Sequence, residues 1–173
     1  CRGPGRECAK LKPDIVAFGG CDQTPIHLVA ATPGKKVLQK GTSFSAPIVS
    51  ALCAQASEGF ERGNALLARA LLIHNAKHPT DSPDIFLGHG IASKDLEDLL
   101  HCDEKEVVII FQGSIAPQKS VRLPIMLPSG VITKGNVHIK WTVAALSPVI
   151  ANHPSDYTTI CIVEQMFFFF AIH

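Results

Sequence analysis

Gly41-Thr42-Ser43-Phe44-Ser45-Ala46-Pro47, followed by the apolar run Ile48-Val49-Ser50-Ala51-Leu52, decides how this 173-residue chain is read. A Gly-Thr-Ser turn feeds small residues, a proline and then a hydrophobic stretch. That pattern predicts a loop entering the first turn of a buried helix. It places the Ser43 hydroxyl at a helix N-terminus, where unpaired backbone N–H groups and the helix dipole favour developing negative charge. A nucleophilic serine that must form an oxyanion gains from that setting. The plainer explanation is that Thr42 or Ser43 only caps the helix, since both residue types are preferred caps. The neighbours weigh against it. Gly41 permits a backbone conformation that other residues resist, and Ser45 and Ala46 keep the turn small. Pro47 fits the first helical turn under either reading.

Working upstream, Leu11-Lys12-Pro13-Asp14-Ile15-Val16-Ala17-Phe18-Gly19-Gly20 predicts a short buried strand over 15–18, stopped by two glycines. A second strand is expected over 26–31, closed by the turn signal Thr32-Pro33-Gly34. Residues 1–10 read as a loop.

These stretches resemble the subtilisin-like serine peptidases, the subtilases. Lys12-Pro13-Asp14-Ile15-Val16-Ala17 is similar to the strand that precedes the nucleophile in that family. Gly41 to Pro47 matches its Gly-Thr-Ser-x-(Ser/Ala)-x-Pro signature at every defined position. Gly88-His89-Gly90-Ile91-Ala92 resembles the segment that opens a late helix of the catalytic domain, and Arg2-Gly3-Pro4-Gly5 a stretch shortly before the Lys-Pro-Asp strand. The matches fall in the family's order and cover residues 2 to about 100. Phe18-Gly19-Gly20 departs from the more common Ala-Pro-Gly and resembles an intracellular bacterial branch.

The resemblance implies an α/β fold: the C-terminal portion of a subtilisin-like parallel-sheet domain over 1–102, followed by a small antiparallel β unit over 103–173. It implies a serine endopeptidase with Ser43 as catalytic serine, and its own N–H as an oxyanion donor. Thr42 and Phe44 would lie beside oxyanion and substrate, Phe44 where many relatives carry Met. Asp14 would be a structural tie rather than a catalytic acid. Subtilases order their triad Asp, His, Ser. No Asp-(Ser/Thr)-Gly and no His-Gly-Thr occurs here, and His89-Gly90 follows the serine. The triad Asp and His, and the oxyanion-hole amide, are therefore expected in a missing N-terminal part of the same protein, and this piece alone is expected to be inactive.

The formal net charge of +1 gives no electrostatic case for nucleic acid or an anionic membrane. A peptide or protein substrate is the expected partner. Six cysteines without a Cys-x-x-Cys pair argue against a zinc ribbon or redox motif. Cys53 falls in the predicted helix, where a free thiol behaves as a small hydrophobe. Reduced thiols and a cytoplasmic setting are expected. His74 and His78 are four apart and would share a helix face, with His89 or His101 to complete a metal site. Two histidines without a defined third ligand are weak, and a helix end suits His on its own. No metal is assigned. Many subtilases hold calcium, but Asp81, Asp84, Glu97, Asp98, Asp103 and Glu104 form no loop of alternating ligands closed by a Glu. They read as surface charge, and no cofactor is expected.

Helices are predicted over 43–58 and 64–77, the second with an apolar stripe of Ala65, Leu66, Ala68, Leu72 and Ile73 and with Asn64 as cap. A short helix over 93–100 is expected, capped by Ser93 with Leu96, Leu99 and Leu100 inward. Beyond Cys102 the runs 107–111, 120–127, 136–144 and 157–163 are rich in β-branched and aromatic residues and predict strands. The apolar end, Met166-Phe167-Phe168-Phe169-Phe170-Ala171-Ile172, is far short of the roughly 20 residues that span a bilayer. Three rival readings remain: a non-catalytic subtilase remnant that binds partners through the β unit, another serine acyl-transfer enzyme, and, weakest, a His-based metalloprotein. The second is disfavoured, because neither a Gly-x-Ser-x-Gly elbow nor a Ser-x-x-Lys motif is present.

Overall fold

A computed structural model describes residues 3–6, 9–60, 63–125, 137–153 and 157–166. The turn signals at 128–130 and 134–135, and the Phe-rich end from 167, lie outside them.

Two hairpins open the fold. β1 (Gly3–Arg6) pairs antiparallel with β2 (Ala9–Lys12), where the sequence predicts a loop. Gly3, Pro4 and Gly5 are turn formers locally, and the pairing overrides them. β3 (Ile26–Val29) pairs with β4 (Lys36–Gln39), with Ile26 opposite Gln39 and Val29 opposite Lys36. Thr32-Pro33-Gly34-Lys35 closes this hairpin, Lys35 N–H donating to Thr32 O at 3.2 Å. Proline at the second position and a glycine with φ 74° at the third suit a type II turn. β4 has no buried face, so its sequence carries no alternation to read.

The expected strand over 15–18 is reduced to a bridge. Val16 pairs in parallel with Ile91, and Ile91 pairs antiparallel with Lys77. Val16 N–H donates to Gly90 O at 2.9 Å and Ala92 N–H to Val16 O at 2.8 Å. Among the described residues the named sheets are these two antiparallel hairpins. Helices and short strands together are compatible with an α/β fold.

α1 (Thr42–Glu58) and α2 (Ala65–His74) fall within a few residues of prediction. Asn64 caps α2, its side chain accepting from Leu67 N–H at 2.9 Å. α3 is shorter than expected, spanning Glu97–Leu100. Ser93 does not cap it; its hydroxyl donates instead to Asp98 at 2.8 Å. Leu99 is buried and Leu96 half-buried, but Leu100 is exposed. Leu52 and Ala56 of α1, Ala68 and Leu72 of α2, and Leu99 form the core, with Ile15, Val49 and Cys53 packed against it. The apolar face of each helix meets the other, which is why the two form.

Past residue 103 the structure departs from expectation. The runs predicted as strands form none among the described residues; Val149 and Thr158 make a single antiparallel bridge. Strand-prone side chains do not make a sheet without a partner edge. Two polar contacts tie this region back to α2: Lys140 Nζ donates to His74 O, and His74 Nδ1 lies 3.0 Å from Thr142 Oγ1. Cys21, Cys53 and Cys102 are free, while Cys161 is disulfide-bonded. That corrects the expectation of reduced thiols throughout. Six cysteines without close spacing carry no signal of which ones pair. The cytoplasmic expectation rested partly on those thiols. No described helix is long and apolar enough to cross a membrane.

Candidate active site

Gly41 is the N-cap of α1, with φ 146° and ψ 162°. A side chain there would be strained, and glycine has none. Capping therefore falls to neither Thr42 nor Ser43. Both lie in the first turn and are exposed. A glycine cap also brings no side-chain acceptor to the first-turn N–H groups. Phe44, half-buried, donates its N–H back to Gly41 O at 3.1 Å. Pro47 sits in the second turn rather than the first, because the helix begins at Thr42. It has no N–H, so the Ser43 carbonyl receives no bond from the residue four ahead.

The turn is held from below by the end of the 15–20 segment. Gly41 N–H donates to Gly19 O at 2.7 Å. A Cβ on Gly19 would stand 2.8 Å from Gly41 O and 3.4 Å from Ser45 Oγ, so only glycine fits. Ser45 is buried, its hydroxyl donating to Thr42 O at 3.2 Å. Gly19, Gly41 and Ser45 thus form a small-residue seat that presents Ser43 outward. Gly19 carries part of this seat, yet in the sequence it reads as a strand stop and as a departure from the family's Ala-Pro-Gly, not as a support for the turn. The signal that could have revealed it is the paired Gly19-Gly20 with small residues at 41 and 45. Lys40, immediately before the turn, pairs with Asp22 at 2.5 Å, and both side chains are largely exposed.

Asp14 stands at the far end of the same segment. Its carboxylate meets Lys12 Nζ at 2.7 and 2.8 Å and Arg69 of α2 at 3.3 Å. Its carbonyl accepts from His89 N–H at 2.8 Å. Partial burial opposes ionisation, but the Lys12 bond and charge, followed by Arg69, hold the carboxyl below its ordinary value. This is an anchor between the segment, α2 and the 88–92 stretch.

The histidines part company. His74 faces Thr142, with burial and then Lys140 holding its pKa below the ordinary value. His78 lies beyond the end of α2, and its side chain is 5% exposed. Its Nδ1 accepts from Thr80 N–H at 3.2 Å. Nε2 lies 3.4 Å from Asp84 Oδ2 but off line, and makes no hydrogen bond among the described residues. Asp84 Oδ1 accepts from Phe86 and Leu87 N–H, both at 2.7 Å, which lowers its pKa. His74 and His78 therefore serve different clusters, and no group of three metal-ligating side chains occurs among the described residues. Ser43 Oγ makes no hydrogen bond among the described residues either.

Comparison with curated proteins and with solved structures returns no match. The model of the Subtilase family matches residues 3–92, which spans both hairpins, the Gly41–Pro47 turn, α1, α2 and the 88–92 stretch. That match covers more than half of the chain and encloses the Gly-Thr-Ser turn with its glycine seat, so the chain belongs to the subtilase family of serine peptidases.

Proposed function

We propose that the chain is the nucleophile-bearing part of a serine endopeptidase, and that Ser43 is its catalytic residue. The observation that carries this is the exposed Ser43 hydroxyl on the first turn of α1, above a glycine cap locked to Gly19. Ser43 Oγ attacks the scissile carbonyl carbon, and a histidine takes its proton. The carbonyl oxygen becomes an oxyanion near the Ser43 N–H at the positive end of α1. The amine leaves with the proton from the histidine, and water then hydrolyses the acyl-enzyme by the same path. Thr42 and Phe44 flank the reacting atoms.

The histidine and its aspartate are supplied from outside these 173 residues. The motif order of the family supports this, as does the Ser43 hydroxyl without a hydrogen-bonded base among the described residues. The 15–18 segment is then one strand of a parallel sheet whose further strands come from the same missing part. The Val16–Ile91 parallel bridge supports that reading. The substrate is a peptide or protein; no cofactor, nucleic acid or membrane enters the mechanism.

The test is Ser43→Ala in a protein that includes the upstream region. Peptide hydrolysis should fall by about 10⁶-fold, the size of loss that removing the serine brings in subtilisin. Retained turnover would show another nucleophile. The second reading, a non-catalytic remnant, is favoured by the same missing base. It predicts no hydrolysis from either protein.

A further inference from the structure

We propose that the contact of His74 with Lys140 and Thr142 is a latch that holds the segment around 140–142 against α2 at neutral pH and loosens it on acidification. The contact joins the end of α2 to a region that forms no strand among the described residues beyond the Val149–Thr158 bridge. His74 is the last residue of α2, and two groups of the segment converge on it. Lys140 Nζ donates to its carbonyl, and Thr142 Oγ1 lies 3.0 Å from its Nδ1.

The placement reverses the usual role of a histidine at a helix end. A C-terminal turn ordinarily favours His⁺ through the helix dipole. Here the ammonium of Lys140 already occupies that position, on the His74 carbonyl itself. A second positive charge on the ring then faces a cation rather than an unopposed dipole. The ring is half-buried, which also favours its neutral form. Lys140 adds to this effect and Glu106 opposes it; among the described residues these are the charged groups that act on the ring. The direction follows by linkage. The docked state holds His74 below its ordinary pKa, so docking is fully stable above about pH 6.5 and weakens as pH falls toward the docked value. For each unit by which the docked value is lower, the ratio of docked to released states falls about tenfold across that window.

Trp141, the one tryptophan of the chain, lies between the two latch residues and reports on them directly. Its emission and its quenching by acrylamide would be followed from pH 8 to pH 5, with backbone circular dichroism as a check on the fold. The latch predicts a single transition below pH 6.5 with more quenching on the acid side. It predicts no transition in His74→Gln, which stays neutral, and a smaller one in Lys140→Met. His89 also feels Lys140, and His89→Gln should leave the transition in place. The same transition in His74→Gln, or its loss in His89→Gln alone, would overturn the proposal. So would a flat profile in the unsubstituted chain. The readout does not depend on peptidase activity, so it stands or falls apart from the assignment of Ser43.

Discussion

Residues 9–100 and residues 101–166 have similar hydrophobic character and opposite fates. In the first region, α1, α2 and α3 bury Leu52, Leu72 and Leu99 against one another. In the second, Val107, Val121, Leu123, Trp141, Val143 and Leu146 are each more than half exposed. The difference lies in where the partners are. An amphipathic helix finds its partner a few residues away, across one short connection. A strand needs an edge to pair with, and a row of β-branched residues does not supply one.

Core substitution tests this contrast most strongly. Leu72→Ala should destabilise the chain by about 2–5 kcal/mol in urea unfolding. Val143→Ala, on an exposed side chain, should fall within about 0.5 kcal/mol. Equal costs would mean that the second region has a packed core of its own. Gly19→Ala comes next, at about 1–3 kcal/mol, because the new methyl group meets Gly41 O and the seat must shift. In the proposed longer peptidase it should lower kcat as well, since the turn that carries Ser43 moves. An unchanged kcat would separate the seat from the site.

Asp14→Asn should cost less, about 0.5–1 kcal/mol, because both ion pairs of Asp14 are partly exposed. The sign with pH follows from the depressed folded pKa. The contribution is complete above the ordinary carboxyl value near 3.9, and it is lost as pH falls through the lower folded value. Acid unfolding that is identical in Asp14→Asn would show that the anchor is idle. The smallest effect expected concerns Phe44. Phe44→Met should make activity in the proposed longer peptidase more sensitive to peroxide, since a thioether beside the proposed nucleophile oxidises to the sulfoxide. Equal sensitivity would place residue 44 away from the site.

Much of the candidate site was legible because its signals are local. The Gly-Thr-Ser turn, the small residues after it and the apolar run through Leu52 specify a helix start and what it presents. Asn64 announced α2 by its own capping chemistry. What escaped is non-local. Gly19 matters through Gly41 and Ser45, more than twenty residues away. The β1–β2 hairpin hides behind Gly3, Pro4 and Gly5, whose local preferences favour a turn. β4 is exposed on both faces and has no period. The region beyond 103 misled in the other direction, because its propensity is real while its pairing among the described residues is reduced to the Val149–Thr158 bridge.

Fluorophosphonate labelling, mapped to the residue by mass spectrometry, tests the central claim most directly. It would compare residues 1–173 alone with the same residues joined to the upstream part of the protein. The account predicts rapid labelling at Ser43 in the longer protein and only background labelling in the shorter one. Labelling at a different serine in the longer protein, or rapid labelling of Ser43 in residues 1–173 alone, would contradict it.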